Sequence, residues 1–146
     1  MAEIVTGIVG EPLDVAATIG ASSDPALGGI AVFIGTVRDS ASVGDNPEVH
    51  VTKLEYEAHP TLAEQRLRAI AEEATAKWDV RYVTALHRTG TCELGEPTVV
   101  VVCGAPHRGD ALDACRWIID TIKETVPIWK REVYSEADGS AWVNTP

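Results

Sequence analysis

The sequence contains no apolar run approaching the roughly 18–20 residues that cross a membrane, and no linker or internal repeat. Its first residues, Met1–Thr6, have neither a basic region nor a long apolar stretch, so no secretory signal is expected. The three cysteines, Cys92, Cys103 and Cys115, are odd in number and widely spaced. Reduced thiols in a cytoplasmic protein are therefore expected, not a disulfide framework. The length suits one domain, residues 1–146.

The spacings typical of common catalytic and metal sites are also absent. The histidines and cysteines form no CxxC, HxxxH or HExxH pattern, so no metal site is expected. GxSxG, Walker A and GxGxxG patterns are missing as well. Cys103 falls in a predicted buried strand and Cys115 on the apolar face of a predicted helix, where both are expected to be core residues.

Lysine and arginine are few, and they are unevenly distributed along the sequence. The formal net charge is −10, which argues against nucleic acid as a partner. Yet five of the twelve lysines and arginines lie between Arg108 and Arg131. A local cationic site on an acidic body suits a small anionic ligand. A charged helix face with no target would explain the same clustering.

The apolar pattern predicts an α+β domain with a mixed, largely antiparallel sheet, because strands outnumber helices and occur in adjacent pairs. The segment Gly29–Arg38 is apolar throughout and predicts a central, buried strand, in which Gly35 indicates a bulge or a close backbone approach. Val49–Glu57 alternates and predicts a half-buried strand. Further strands are predicted at Val80–His87, Thr98–Cys103, Glu132–Tyr134 and Ala141–Val143, and loops at Gly20–Gly29, Asp39–Glu48 and Gly90–Pro97.

Two main helices are predicted between these strands. Pro60 is expected to open the first, whose buried stripe is Leu62, Leu67, Ile70, Ala74 and Trp78. Asp110 is the expected N-cap of the second helix, which Pro127 stops. The apolar face of this second helix comprises Ala111, Cys115, Ile118, Ile119 and Ile122.

The segment Ile118–Glu132 concentrates the features of an anion site. Lys123 and Lys130 lie on either side of Pro127, with the apolar anchors Ile128 and Trp129 between them. This arrangement predicts a positively charged pocket with a rigid rim. Lys123 borders the apolar stripe of its helix, where desolvation would lower its pKa. Alternatively, its stem packs while its head reaches water, or the dipole at the helix C-terminus favours it.

A second cationic cluster, His107 and Arg108, precedes the last helix, where free N–H groups favour anions and arginine can bind them bidentately. A surface turn with a solvated arginine is the alternative. Arg38 either faces a pocket or pairs with Asp39. Along one helix His107 and Arg108 would lie roughly 20 Å from Lys123. Either the chain after Pro127 folds back, or the site is built across a two-fold dimer interface. We expect the dimer, and one intrachain pocket lined by both clusters would contradict it.

Several segments, taken together and in order, resemble the large, catalytic subunit of molybdopterin synthase, the MoaE family. The resemblance runs from about Pro12 to Val143, and its combination of motifs is specific although no single one is. The segments are Gly29–Arg38, Leu54–His59, His87–Gly90, Gly95–Glu96, His107–Arg108, Pro127–Glu132 and Trp142–Val143. His59 departs from the family, which more often has an aromatic residue there; this concerns helix entry and not chemistry.

The resemblance implies an α/β hammerhead-type fold and a homodimer. Each protomer would bind a small ubiquitin-like sulfur carrier, giving a heterotetramer. The carrier's C-terminal glycine thiocarboxylate would enter the pocket, and two sulfur atoms would pass to cyclic pyranopterin monophosphate. The product is the dithiolene of molybdopterin, in molybdenum cofactor biosynthesis. The resemblance therefore implies that the chain is a cytoplasmic sulfurtransferase that needs no metal and no cofactor.

The resemblance also implies residue roles. Lys123 and Lys130 match the catalytic lysines, and we expect Lys123 to meet the thiocarboxylate while Lys130 assists proton transfer or holds the pterin, with the division between them open. The matched substrate-binding residues are Arg38, His107 and Arg108, and those that help to line the site are Val37, Arg131 and Glu132. The thiocarboxylate and the cyclic phosphate are both anions, which cations in a sheltered site would stabilise.

Two other functions compete with this one. One is a dimeric scaffold that docks a ubiquitin-like partner without chemistry, but docking alone needs neither Lys123 nor Lys130 at that spacing. A stand-alone phosphate-ester enzyme would need a metal cluster or an obvious nucleophile, and the sequence offers neither. The enzyme is therefore the preferred hypothesis.

Overall fold

The computed structural model of the protein describes residues 2–43, 46–135 and 139–143. These residues form two sheets and three helices, which confirms the predicted α+β class with two long helices and adds a short one. The elements are β1 Glu3–Val9, α1 Val15–Gly20, β2 Gly29–Thr36, β3 Ser40–Val43, β4 Asn46–Ala58, α2 Leu62–Lys77, β5 Tyr82–Arg88, β6 Gly90–Glu93, β7 Pro97–Ala105, α3 Arg108–Thr125, β8 Ile128–Tyr134 and β9 Ser140–Val143. No helix within these ranges is long and apolar enough to cross a membrane.

The first sheet holds the core. Its strand order is β1-β5-β7-β2; β1 and β5 are parallel and the other pairs antiparallel. Helix α2 packs on β1 and β5, and α3 packs on β2 and β7. The predicted apolar face of α3 is buried, and Val99–Val102 of β7 are fully buried. The predicted buried strand at Thr98–Cys103 is therefore confirmed.

Strand β2 is not the central, buried strand that its apolar sequence predicted. It lies at the edge of the first sheet, where within the described residues only β7 pairs with it. Four of its large apolar side chains, Ile30, Val32, Phe33 and Ile34, are between 37% and 46% exposed. The prediction was wrong because a continuous apolar run does not distinguish an interior strand from an edge strand with an open face.

The second sheet has the order β3-β4-β8-β9, with β6 also paired to β4, and every pair is antiparallel. The predicted loop Asp39–Glu48 is instead largely a hairpin of β3 and β4, with residues 44 and 45 outside the described residues. Its polar, turn-forming composition concealed strands that are held by backbone pairing. For the same reason the predicted connection Gly90–Pro97 contains β6.

Several element ends differ from the sequence expectations: β8, for example, begins at Ile128 and not at Glu132, and both long helices begin at other residues. Helix α2 begins at Leu62, not Pro60, and the His59 ring accepts hydrogen bonds from the N–H groups of Thr61 (3.3 Å) and Leu62 (3.1 Å). Helix α3 begins at Arg108, with His107 at the N-cap position, so Asp110 lies in the first turn. In β4, a register shift between Val51 and Lys53 buries Val51 and exposes Thr52, and the predicted alternation holds beyond it.

Candidate functional site

A cavity of about 540 Å³ opens where the C-terminal half of β2 approaches the second sheet and the end of α3. Residues from both sheets and α3 surround it, so it exists only in the folded chain. They are Phe33, Ile34, Gly35, Thr36, Arg38, Asp39, Ser40, Leu54, Tyr56, Thr98, Lys123, Lys130 and Glu132. The cavity therefore brings Arg38, Lys123, Lys130 and Glu132 together, four of the residues predicted for the site.

The pairing of β4 with β8 decides which side chains face this cavity. Tyr56 lies opposite Lys130 and Leu54 opposite Glu132, so these four share one face of the sheet. Arg131 points to the other face, where it forms an ion pair with Glu55 and its guanidinium lies 5.7 Å from the ring centre of Trp142. Arg131 therefore fixes the strand from behind and does not line the cavity.

Lys123 and Lys130 are uncompensated cations in this cavity. In the parts of the chain that the structure describes, no carboxylate oxygen lies within 4.0 Å of either ammonium group. Lys123 is an exposed residue at the cavity edge, yet the surrounding protein removes enough water to lower its pKa, and the charge of Lys130 lowers it further. Two unpaired cations in one cavity are arranged to receive an anion.

Arg38 lies on the rim of the same cavity, held there by the backbone of its neighbour. Val37 is buried; its N–H donates to the Glu96 carbonyl (3.1 Å) and its carbonyl accepts from Gly95 (2.9 Å). Among the described residues Arg38 forms no ion pair with Asp39 or any other carboxylate. The geometry thus favours the pocket-facing alternative for Arg38, with Val37 as its anchor.

The floor of the cavity is nearly sealed from solvent. Glu132 is 8% exposed, and its carboxylate accepts a hydrogen bond from the Tyr134 hydroxyl at 2.8 Å. Gly35 allows the close approach predicted for it, because a Cβ there would come within 2.7 Å of a Val99 methyl group. The register shift at Gly35 is also present. A side chain at this position would displace the floor.

Sequence reasoning missed Tyr56 and the histidine beneath it. His87 of β5 is buried, its Nδ1 donates to the Arg88 carbonyl (2.7 Å), and its ring packs edge-on against Tyr56 with centres 5.0 Å apart. Burial, opposed by that backbone contact and aided by the charge of Lys123, lowers the pKa of His87 to about 4. The alternation of β4 predicted that Leu54 and Tyr56 share a face, but only the β4–β8 register shows that Lys130 shares it.

His107 and Arg108 do not reach this cavity. Both are exposed at the opposite end of α3, where the backbone of Arg108 packs against Gly29 at the start of β2. Fifteen residues of helix separate Arg108 from Lys123, a distance of about 22 Å. The chain after Pro127 does not bring the two clusters together within one protomer.

Comparison with known proteins places the chain in a family. A family model described as "MoaE protein" matches residues 8–125. The chain belongs to the MoaE family. A rice relative (Oryza sativa subsp. indica) named "Molybdopterin synthase catalytic subunit" is 45% identical over 130 residues, which are 89% of this chain and 64% of the relative. The chain thus spans just under two thirds of that relative's length.

Solved structures of similar proteins share the fold of this chain. The crystal structure of molybdopterin synthase from Staphylococcus aureus superposes with a TM-score of 0.82 at 35% identity, covering 94% of this chain and 95% of that one. A structure from Helicobacter pylori, described as a protein–protein complex of subunits 1 and 2 of molybdopterin-converting factor, has a TM-score of 0.69 at 21% identity and covers 92% of each chain. Within this MoaE-family chain, the family match includes Arg38, His107, Arg108 and Lys123, while Lys130 lies just beyond it.

Proposed function

We propose that this chain is the catalytic subunit of a molybdopterin synthase, which transfers two sulfur atoms from a thiocarboxylated carrier to cyclic pyranopterin monophosphate. The observation that carries the proposal is the pair of unpaired lysines in one sheltered cavity. Each transfer forms a carbon–sulfur bond at the pyranopterin and breaks a carbon–oxygen bond there, while water replaces sulfur on the carrier's carbonyl carbon and leaves a carboxylate. Negative charge is present on both reactants throughout, and the fixed cations of the cavity stabilise it.

The environments of the two lysines support different roles. Lys123 stands at the edge of the cavity with a lowered pKa, so it is suited to meet the incoming thiocarboxylate and to exchange a proton with the reactants. Lys130 projects from β8 beside Tyr56 and Glu132 and is suited to hold the pterin. Arg38 on the rim is suited to the phosphate.

The carrier is proposed to be a small ubiquitin-like protein whose C-terminal tail enters the cavity. Family membership supports this partner, and a structural relative was solved as a two-subunit complex. A glycine-ended tail is narrow enough for a cavity of about 540 Å³, because it adds no side chain at the reacting end.

A homodimer formed through β2 is proposed to complete the site. Beside the exposed apolar edge of β2 runs a cleft of about 850 Å³, lined by Val32 and Phe33 and by Leu112 and Trp117 of α3. An unpaired apolar edge strand invites pairing with a second strand. Two copies of β2 paired antiparallel about a two-fold axis would join the sheets and cover this cleft.

The direction of α3 makes the dimer relevant to chemistry. Helix α3 runs in the same direction as β2, since Arg108 lies beside Gly29 while Lys123 lies beyond Phe33 at the cavity. A two-fold axis near the middle of β2 therefore carries the second protomer's His107 and Arg108 toward the first protomer's Lys123. Each cavity would then receive cations from both chains.

The proposed function is tested by single-turnover conversion of cyclic pyranopterin monophosphate with a thiocarboxylated carrier. Wild type should form product and Lys123→Ala should not, while a matched control, Lys53→Ala, should behave as wild type because Lys53 lies outside the cavity. The unfolding temperature of Lys123→Ala should be nearly unchanged, since an exposed lysine contributes little to stability. Carrier binding without product from wild type would indicate a docking module, and near-normal turnover by Lys123→Ala would refute the role of that lysine.

A further inference from the structure

The floor of the cavity is chemically different from its rim. The rim carries Arg38 and Lys123, both exposed. The floor includes Tyr56 and Thr98, which are 6% and 2% exposed, and beside them Leu54. Lysine and arginine only donate hydrogen bonds. A ligand whose anionic end is held by the rim must therefore find its hydrogen-bond acceptors elsewhere, and the floor offers the Glu132 carboxylate and the neutral hydroxyls of Tyr56 and Thr98.

The Tyr56 hydroxyl lies beside Thr98, whose own hydroxyl is bonded to the backbone. Thr98 donates its single hydroxyl proton to the Gly35 carbonyl at 3.2 Å. The Thr98 side chain also lies beside the Tyr56 hydroxyl, and its polar interaction with the phenol opposes the rise in pKa that burial causes. A phenolic hydroxyl can both donate and accept hydrogen bonds, so the Tyr56 oxygen in the lining of this cavity can accept one from a ligand.

The position of the Tyr56 ring is fixed by its neighbours. The His87 ring packs edge-on against it, and His87 is itself held by its bond to the Arg88 carbonyl. On its far side Tyr56 borders a second cavity of about 530 Å³, so its ring is the wall between the two spaces. Burial raises the pKa of Tyr56 to about 12, which keeps the phenol neutral at physiological pH.

We propose that Tyr56 is a further substrate-contacting and specificity-determining residue, whose hydroxyl oxygen accepts a hydrogen bond from an N–H group of the pterin ring while the cations hold the phosphate. This inference rests on the proposed function, because it assumes a pterin in this cavity. A pterin ring carries several N–H donors, and leaving them unpaired on a nearly dry floor would cost binding free energy. Tyr56 supplies a neutral acceptor at a fixed place.

The variant Tyr56→Phe tests this contact, since it removes one oxygen atom and keeps the wall. We expect the Kd and KM for cyclic pyranopterin monophosphate to rise about three- to tenfold, the size of one neutral hydrogen bond. The kcat and the KM for the carrier should stay within about twofold, because a contact made equally in the ground and transition states changes KM alone. The matched control is Tyr82→Phe, which removes another buried hydroxyl, one bonded to Thr84 at 2.8 Å and outside the cavity.

A second variant separates contact from structural support. Thr98→Val removes the partner of the Tyr56 hydroxyl but not the hydroxyl itself, so it should change the Kd for the pterin less than Tyr56→Phe does. Unchanged pterin affinity in Tyr56→Phe, with a loss of unfolding temperature like that of Tyr82→Phe, would overturn this inference alone. Equal losses of affinity for pterin and carrier would overturn it too. A wild-type protein that neither binds nor converts the pterin would overturn the proposed function and this inference together.

Discussion

Intersubunit complementation tests whether the two cationic clusters meet across a dimer. One protomer carries Lys123→Ala and the other Arg108→Ala, each with a different affinity tag, and the heterodimer is purified after co-expression. If Lys123 works with the second protomer's Arg108, one of the two cavities retains both residues and the other lacks both. The heterodimer should then turn over at about half the wild-type rate per dimer, because a two-fold dimer has two equivalent sites.

The size of the effect follows from the separation of the clusters. Arg108 and Lys123 are about 22 Å apart on α3, too far for one small ligand to touch both within a protomer. Losing a charged hydrogen bond costs about 1.5–3 kcal/mol, so the Arg108→Ala homodimer should lose roughly 10- to 150-fold in substrate affinity. At substrate concentrations below the wild-type Kd, the turnover of the Arg108→Ala homodimer should be well under a tenth of the wild-type rate. The half-maximal rate expected of the heterodimer is easily distinguished from that.

A reciprocal heterodimer provides the control. One protomer carries both substitutions and the other is wild type, so the number of altered residues per dimer is the same. If the site is shared, each cavity lacks one residue and turnover stays low. If each protomer has a self-contained site, the wild-type protomer works alone and turnover is about half. High activity here and low activity in the first heterodimer would refute the shared site.

Two further predictions concern the edge strand and the cavity lysine. Val32→Lys places a charge on the edge strand β2, where it should block strand pairing, so sedimentation should show a monomer and turnover should be lost. The control Val5→Lys, at a 43% exposed position of the opposite edge strand, should leave the dimer intact. A Val32→Lys variant that is still a dimer would contradict the proposed interface. Because desolvation and then Lys130 lower the pKa of Lys123, Lys123 should react with acetic anhydride at lower pH than the lysine side chain of a model peptide does. Lys130→Gln should raise that pKa and move the labelling curve to higher pH, and an unmoved curve would show that the two charges do not interact.

The sequence was sufficient where local periodicity decides structure. The apolar spacing of α3 predicted its buried face, and the alternation of β4 beyond its register shift predicted that Leu54 and Tyr56 share a face. The cationic residues Lys123 and Lys130 were predicted from their position around Pro127. Strand β1 and helix α1 were not predicted. Helix α1 has only six residues, which are too few for helical periodicity to be visible.

Long-range pairing could not be predicted from local pattern. Tyr56 and Lys130 are 74 residues apart in sequence and become neighbours only through the β4–β8 register. A slip of one residue would turn Arg131 toward the cavity in place of Lys130. The register therefore selects which of two adjacent cations faces the cavity, and the other is used to pair with Glu55 on the opposite face.

The exposed edge of β2 and the distant position of Arg108 have one physical explanation. A strand with four exposed apolar side chains is unfavourable in water, and a second copy of the strand would cover it. The same two-fold operation would place the second protomer's Arg108 end of α3 at the other end of β2. Strand β2 spans eight residues, or about 27 Å. That length is close to the roughly 22 Å between Arg108 and Lys123. The proposed dimer that would bury the apolar edge would thus also bring the second cationic cluster to the cavity, so charging the edge should abolish both dimerisation and catalysis.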